Sequence, residues 1–229
     1  MAAPDLDQQI GRQCEGGFLK KDAALPELSV VIPLRNEVTN VEPLVEAIAA
    51  ALAGSVSYEV IAVDDGSDDG TWEALVGLRE RTYPTAARMH SSLCCFRLQR
   101  CSGMDAAMEF GFAQARGRIL VTMDGDLQNC PSDVPGLLDA LRGYDMVCGI
   151  RTPRRDRAAV VACSRVANLA RNLLTGDRIS DAGCNLRVFR RECLGILLLH
   201  SGRLLGQAHF FYPSLLRLHG YRVVVIYIQ

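Results

Sequence analysis

From Leu28 to Cys148 the chain repeats one pattern: a short apolar run ends in polar or glycine-rich residues, and a segment with apolar residues at helical spacing follows. Leu28–Pro33 (LSVVIP), Tyr58–Val63, Leu93–Leu98, the run from Ile119 to Met123 and Asp145–Cys148 read as strands. Asn40–Ala53, Gly70–Arg81, Gly103–Ala115 and Ser132–Leu141 read as helices. In the first of these, Val41, Leu44, Val45, Ile48 and Leu52 share one face, Asn40 is placed as the cap, and Pro43 falls in the tolerant first turn. Regular alternation of this kind restricts the fold to the α/β class, with a mostly parallel, doubly wound sheet whose loops gather at its carboxyl edge. The pattern then loosens: Val160–Leu174 is expected to be helical, Asn185–Phe189 extended, Ala208–Leu218 helical, and Arg222–Ile228 a final strand.

With 229 residues, 49% of them hydrophobic, the chain can bury one substantial core, and residues 28–229 are expected to form a single domain. Residues 1–27 mix Asp5, Asp7, Glu15, Lys20, Lys21 and Asp22 with small residues and lack the apolar centre of a signal peptide, so they read as a mobile tail. The formal net charge of −1 gives no global attraction to nucleic acid. No apolar run approaches the roughly 18 to 20 residues of a membrane span; Leu194–His200 (LGILLLH) is far too short. The nine cysteines show no C-x-x-C pairing, and Cys94 and Cys95 are adjacent, which favours reduced thiols over disulfides or a zinc site.

Ligands of open parallel sheets bind where the strands end. The first strand ends in Pro33-Leu34-Arg35-Asn36-Glu37, and the second in Asp64-Asp65-Gly66-Ser67-Asp68-Asp69-Gly70-Thr71. Repulsion between carboxylates and phosphate rules out a phosphate cradle in that second loop. A carboxylate accepts hydrogen bonds from a base or ribose instead, and Asp64 and Asp65 are placed for that. Asp68 and Asp69 serve equally well as turn-capping residues.

The run ILVTMDGDLQ, Ile119 to Gln128, carries a strand straight into Asp124, Asp126 and Gln128. If the backbone stays extended, these alternate residues share one face and offer three oxygen donors to a hard divalent cation, Mg²⁺ or Mn²⁺, which in turn holds a diphosphate. Trp72 reads as a core residue on a helix. His209, in AHFFYP, suits a structural role against Phe210 and Phe211 as well as a substrate contact.

SVVIPLRNE (Ser29 to Glu37), VDDGSDDGT (Val63 to Thr71), the G-x-x-A-A of Gly103 to Ala107, MDGDLQ (Met123 to Gln128) and DAGCNLRVFRRE (Asp181 to Glu192) resemble the family 2 inverting glycosyltransferases of the GT-A fold, with its Rossmann-like nucleotide-binding half. Within that family the chain is similar to dolichyl-phosphate mannose synthases and to bacterial transferases that load sugar onto undecaprenyl phosphate. The resemblance implies transfer of one sugar from a nucleotide-diphosphate sugar to a polyprenyl phosphate, at the inner face of the membrane. Contact there is either peripheral or through a membrane-anchored partner.

Carried over by residue, the resemblance puts Pro33, Glu37 and Gly103 at the donor, Asp65 on the base or ribose with Asp64 supporting its loop, and Asp124, Asp126 and Gln128 on the metal between the phosphates. An acceptor phosphate is already anionic, so positioning and charge neutralisation replace a general base. Arg151, Arg154, Arg155, Arg157 and Arg187 are the candidates to hold it by bidentate bonds, and Asp181 is expected to orient an arginine or touch the sugar. Trp72 is the only tryptophan, so the Q-x-x-R-W signature of processive synthases is absent.

The chain departs from the resembling sequences at Cys101 and Met104, where asparagine and a basic or polar residue are common. It also departs at Gly125, which stands for the usual alanine, and at Gln229, where relatives usually continue, so a shortened form is expected. Two alternatives keep the fold: a glycan or small-molecule hydroxyl as acceptor, or a noncatalytic, degenerate transferase that binds nucleotide sugar or a partner.

Overall fold

A computed structural model gives the fold and describes residues 25–79, 91–151, 183–200 and 208–228. Its centre is a seven-stranded sheet in the order β3-β2-β1-β4-β6-β5-β7. The strands are β1 (Leu28–Leu34), β2 (Tyr58–Asp64), β3 (Ser91–Arg97), β4 (Ile119–Thr122), β5 (Met146–Arg151), β6 (Arg187–Arg190) and β7 (Val223–Ile228). The helices are α1 (Val41–Leu52), α2 (Thr71–Arg79), α3 (Met104–Gln114), α4 (Val134–Ala140), α5 (Leu194–His200) and α6 (Tyr212–Leu218).

Every residue of β1 and β2 is buried, as expected of strands covered on both faces. Alternate residues feed opposite layers. Leu28, Val30, Ile32 and Leu34 pack with Val41, Leu44, Ile48, Leu75 and Leu137 from α1, α2 and α4. Val31, Ile61 and Val63 pack instead with Met108 and Phe112 of α3, Leu197 of α5 and Tyr212 of α6. The result is a helix–sheet–helix sandwich. Cys94 and Cys95 obey the same alternation and belong to opposite cores, and none of the described cysteines is in a disulfide.

β1 is parallel to β2 and β4, β2 to β3, and β5 to β7, while β6 runs antiparallel to both β4 and β5. The doubly wound, mostly parallel sheet thus matches the sequence reading, with one reversed strand where Asn185–Phe189 was expected to be extended. The chain moves outward from β1 through β2 to β3, then returns to place β4 on the other side of β1. That reversal opens a crevice between the carboxyl ends of β1 and β4.

Two local expectations change. Asn40 occupies the cap position of α1 with helical backbone angles and no capping bond from its side chain; its amide donates instead to Glu37 Oε2 at 2.6 Å. The segments read as helix over 132–141 and 208–218 each begin with a 3₁₀ turn, Pro131–Asp133 and Ala208–Phe211, before α4 and α6. The expected helix at Val160–Leu174 lies outside the described residues.

At the opposite, amino edge a buried polar network fixes β1, β2 and the turn after α3. Glu59, 1% exposed, accepts from Ser29 Oγ at 2.7 Å, from the Arg116 backbone N–H at 2.7 Å, and from Arg116 Nε and Nη2 at 3.0 and 2.7 Å. A buried carboxylate is tolerable only with such partners.

Candidate functional site

The crevice between β1 and β4 is a cleft of about 480 Å³, lined among others by Pro33, Arg35, Glu37, Asp65, Gly103, Asp124, Asp126, Arg151, Asn185 and His209. The turns after β1, β2 and β4 supply its floor.

The first two loops are stitched together. Asn36, at a φ of 55°, donates its N–H to Ser67 Oγ at 2.9 Å and accepts at Oδ1 from the Asp68 N–H at 3.1 Å. Glu37 N–H donates to Thr71 Oγ1 at 2.8 Å and Val38 N–H to Asp69 Oδ2 at 3.1 Å. Asp69 also accepts from the Thr71 N–H at 2.9 Å. Burial alone raises its carboxyl, but these donors prevail and hold it below the usual range. Asp69 therefore takes the turn-capping role.

Asp64 is not among the residues that line the cleft. It is fully buried, accepts the Ser67 N–H at 3.0 Å, and pairs with Arg97 Nε at 3.2 Å. The pleat turns its side chain away from the cleft, so it supports the loop only. Arg97 also donates to the Ser67 carbonyl at 2.7 Å and lies 6.0 Å from the Trp72 ring centre. Trp72 itself packs against the core.

Asp65 lines the cleft and binds the loop before α3. Oδ1 accepts from Ser102 N–H at 2.6 Å, and Oδ2 from Gly103 N–H at 2.8 Å, with Cys101 Sγ at 3.5 Å. Arg35 Nη1 donates to its carbonyl at 3.1 Å. Gly66 lets the two loops touch: its φ is +67°, and a Cβ there would sit 2.8 Å from the Arg100 carbonyl carbon. The thiol of Cys101 thus joins the Asp65 network, while Met104 shares the cleft wall with it.

The acidic turn differs from the sequence reading in geometry. β4 ends at Thr122, and Leu127 takes a φ of 61°, so the backbone turns rather than continuing extended through Gln128. Gln128 N–H caps Asp126 Oδ1 at 3.0 Å, and Gln128 Oε1 accepts from Arg151 Nη1 at 2.7 Å. Its side chain thus links the turn to Arg151 instead of standing beside the carboxylates as a third free donor.

Asp124 has the properties of a cation ligand. Oδ2 accepts from Asn129 Nδ2 at 3.0 Å, whereas Oδ1 is sealed from solvent without a hydrogen-bond partner. Burial first, and the negative charge of Asp126 second, push the Asp124 carboxyl up; Asn129, Asn185 and Arg187 oppose them. A divalent cation would satisfy the orphaned oxygen and cancel the repulsion between the two carboxylates. Asp124 and Asp126 therefore fit a metal, although no group of three His, Cys, Asp or Glu side chains suited to one ion occurs among the described residues.

Arg151 stands on the wall of the cleft as expected. Arg187 does not. It is 1% exposed, its Nη1 donates to the His209 carbonyl at 2.7 Å, and its guanidinium lies 5.7 Å from the Tyr212 ring centre. The antiparallel β6 turns it into the core, where its charge acts on Asp124 from behind rather than gripping a phosphate. Arg154, Arg155, Arg157 and Asp181 lie outside the described residues.

Sequence reasoning missed Arg35, Asn129 and Asn185. The first and last stand inside motifs that had been singled out, and Asn129 directly follows Gln128.

An α/β sheet with a cleft at its switch point, acidic at the centre and cationic at one wall, is an architecture of the GT-A type. Residues 29–195 match the family model "Glycosyl transferase family 2", and the chain belongs to that family. It is 40% identical over 195 residues to dodecaprenyl-phosphate galacturonate synthase of Rhizobium johnstonii, covering 82% of this chain and 53% of that protein. It is 38% identical over 173 residues to undecaprenyl-phosphate 4-deoxy-4-formamido-L-arabinose transferase of Aeromonas hydrophila, covering 75% of this chain and 51% of that protein. The chain thus spans about half the length of the curated relatives it matches.

Among solved structures, a mannosyltransferase from Pyrobaculum calidifontis in complex with GDP-Man and Mn²⁺ superposes with a TM-score of 0.63 at 21% identity, over 90% of this chain and 59% of that one. Glucosyl-3-phosphoglycerate synthase from Mycobacterium tuberculosis with Mn²⁺, UDP and phosphoglyceric acid gives 0.63 at 19% identity, over 88% and 68%.

Proposed function

We propose that this chain is an inverting glycosyltransferase that moves one sugar from a nucleotide-diphosphate sugar to a polyprenyl phosphate. The observation that carries the reading is the buried, unpartnered Asp124 oxygen beside Asp126, set at the switch-point crevice between the Asp65 loop and Arg151. The names of the two curated relatives supply the acceptor class, dodecaprenyl or undecaprenyl phosphate.

In this reading Pro33, Glu37 and the Asp65 loop receive the nucleoside, and the stitched turns keep that pocket in shape before substrate arrives. Asp124 and Asp126 would hold Mg²⁺ or Mn²⁺, which when bound would supply charge neutralisation for the leaving diphosphate; Gln128, whose Oε1 accepts from Arg151 in the cation-free protein, would join them as the resemblance implies. Arg151 orients the acceptor phosphate, whose oxygen attacks the anomeric carbon from the face opposite the leaving group, inverting it. Arg154, Arg155 and Asp181 remain proposed substrate contacts. No base is required because the nucleophile is anionic.

A polyprenyl phosphate resides in a membrane, so the reading puts the chain at the inner membrane face, by peripheral contact or through an anchored partner. None of the described helices is long and apolar enough to cross a bilayer.

The test is transfer of labelled sugar from a panel of nucleotide-diphosphate sugars to polyprenyl phosphate with Mg²⁺ or Mn²⁺. Label in the organic phase, lost in Asp126→Ala, supports the proposal. Labelled product that appears only in the aqueous phase selects a hydroxyl acceptor, and no transfer from any donor rejects the enzyme.

A further inference from the structure

On the α3 side of the cleft a histidine is fixed by Asp105 and Arg187 from two other elements and by Phe210 of its own turn. Asp105, in the first turn of α3 and 5% exposed, accepts at Oδ2 from the Ala208 N–H at 2.7 Å. Its Oδ1 accepts from the His209 N–H at 3.3 Å and meets His209 Nδ1 at 2.6 Å. Burial raises the Asp105 carboxyl, but the His209 contact and the two amides prevail and hold it below the usual range. The amino end of α3 favours the same anionic form. From the other side, Arg187 Nη1 grips the His209 carbonyl at 2.7 Å. Phe210 lies against the imidazole, ring centres 4.2 Å apart.

The hydrogen bonds among these contacts occupy the backbone and Nδ1. Nε2 has no hydrogen-bond partner among the described residues, and His209 lines the cleft together with Gly103, Met104 and Asp124. An anionic carboxylate at Nδ1 keeps a proton on that nitrogen. Nε2 then donates only when the ring carries its second proton, as an imidazolium.

We propose that His209 is a further substrate-binding residue of this site: as an imidazolium held by Asp105, it donates from Nε2 to an anionic phosphate oxygen in the cleft. Asp105 is its positioning residue. The proposal rests on the reading of the cleft as a sugar-transfer site with phosphate-bearing donor and acceptor, and it assigns that site a second cation besides Arg151. The oxygen belongs either to the donor diphosphate or to the acceptor phosphate. A metal-ligand role for Nε2 is disfavoured, because His209 forms no cation-binding group with Asp124 and Asp126 among the described residues. The ring is rigid before the ligand arrives, so little ordering cost opposes binding. Around the pair lie Glu109, whose carboxyl is raised by burial and by Asp105, the Tyr212 hydroxyl, raised mainly by burial, and the cationic Arg187.

The test uses the full chain and follows the ¹⁵N resonances of His209, assigned by their loss in His209→Gln. Three probes are added separately: UDP or GDP with Mg²⁺, farnesyl phosphate, and Mg²⁺ alone. The expected result is that one phosphate probe shifts Nε2 to its hydrogen-bonded, protonated position with uptake of a proton. His209→Gln weakens that probe about tenfold, as loss of one charge-assisted bond implies. Asp105→Asn keeps binding but moves its pH dependence, and circular dichroism of both variants checks that they fold. The probe that responds identifies donor or acceptor as the source of the oxygen.

A shift with Mg²⁺ alone, or phosphate binding that leaves Nε2 untouched and is unaltered in His209→Gln, overturns the proposal. So does turnover that rises as the histidine loses its proton, with kcat abolished and KM unchanged in His209→Gln, since that is a general base. Binding is read without catalysis, so absence of sugar transfer would reject the proposed function and leave this result standing.

Discussion

Replacing Asp124 with asparagine sets the cost of an unpaired buried carboxylate against its use as a ligand. In the cation-free protein Oδ1 has no partner, and burial together with Asp126 raises its carboxyl. Leaving such a group unsatisfied costs about 1–3 kcal/mol. Asparagine retains an oxygen for the 3.0 Å bond from Asn129 but carries no charge, so Asp124→Asn should gain about 1 kcal/mol, or about 2–4 °C in Tm for a chain of this size. The order reverses with ligand. Mg²⁺ or Mn²⁺ plus nucleoside diphosphate at a hundred times Kd stabilises the wild type by about 2.7 kcal/mol, and most of that increment should vanish in the variant. The pH dependence has a definite sign. A carboxyl raised in the folded state contributes stability in acid and loses it as pH rises through its folded pKa, so the cation-free advantage of the variant should disappear on acidification. Differential scanning fluorimetry across pH, with and without cation and nucleotide, measures all of this. A variant less stable than wild type without cation, yet shifted equally by ligand, would refute the reasoning.

Three further outcomes are expected. Glu59→Ala removes the acceptor for Ser29 and for the Arg116 backbone and guanidinium and should destabilise by about 3–5 kcal/mol, read as a lower urea midpoint without a specific effect on KM. Gly66→Ala puts a Cβ 2.8 Å from the Arg100 backbone at a φ of +67°; about 1–3 kcal/mol of strain should loosen the Asp65 loop and raise the donor KM, and an unchanged KM would count against that loop's role. Asp105 is held below its usual pKa, so its stabilising contribution is present above the unfolded carboxylate value and lost as pH falls through the folded one; acid unfolding curves of wild type and Asp105→Asn should therefore converge at low pH.

Particular residues show why part of the site was legible and part was not. Asp65, Asp124 and Asp126 follow strand ends and Arg151 closes β5, and a strand that ends at the carboxyl edge delivers its last residues and those after it to the crevice. Their placement needed only the strand pattern. Arg187 and Gln128 stand in motifs as regular as these, but their surroundings are not readable in one dimension. The antiparallel setting of β6 buries the former, and the positive φ at Leu127 breaks the alternation that was to align the latter. Asp105 and His209 meet across 104 positions of chain, and no local spacing announces a contact of that range.

The layered α/β class, the family and the carboxyl-edge loops are readable from residue order alone, because apolar periodicity and short motifs are local and act through backbone geometry. Which charges face the cleft and which support it from behind is settled in three dimensions. That choice depends on strand direction, on burial and on partners distant in sequence: Asp64 with Arg97, Glu59 with Arg116, and His209 with Asp105.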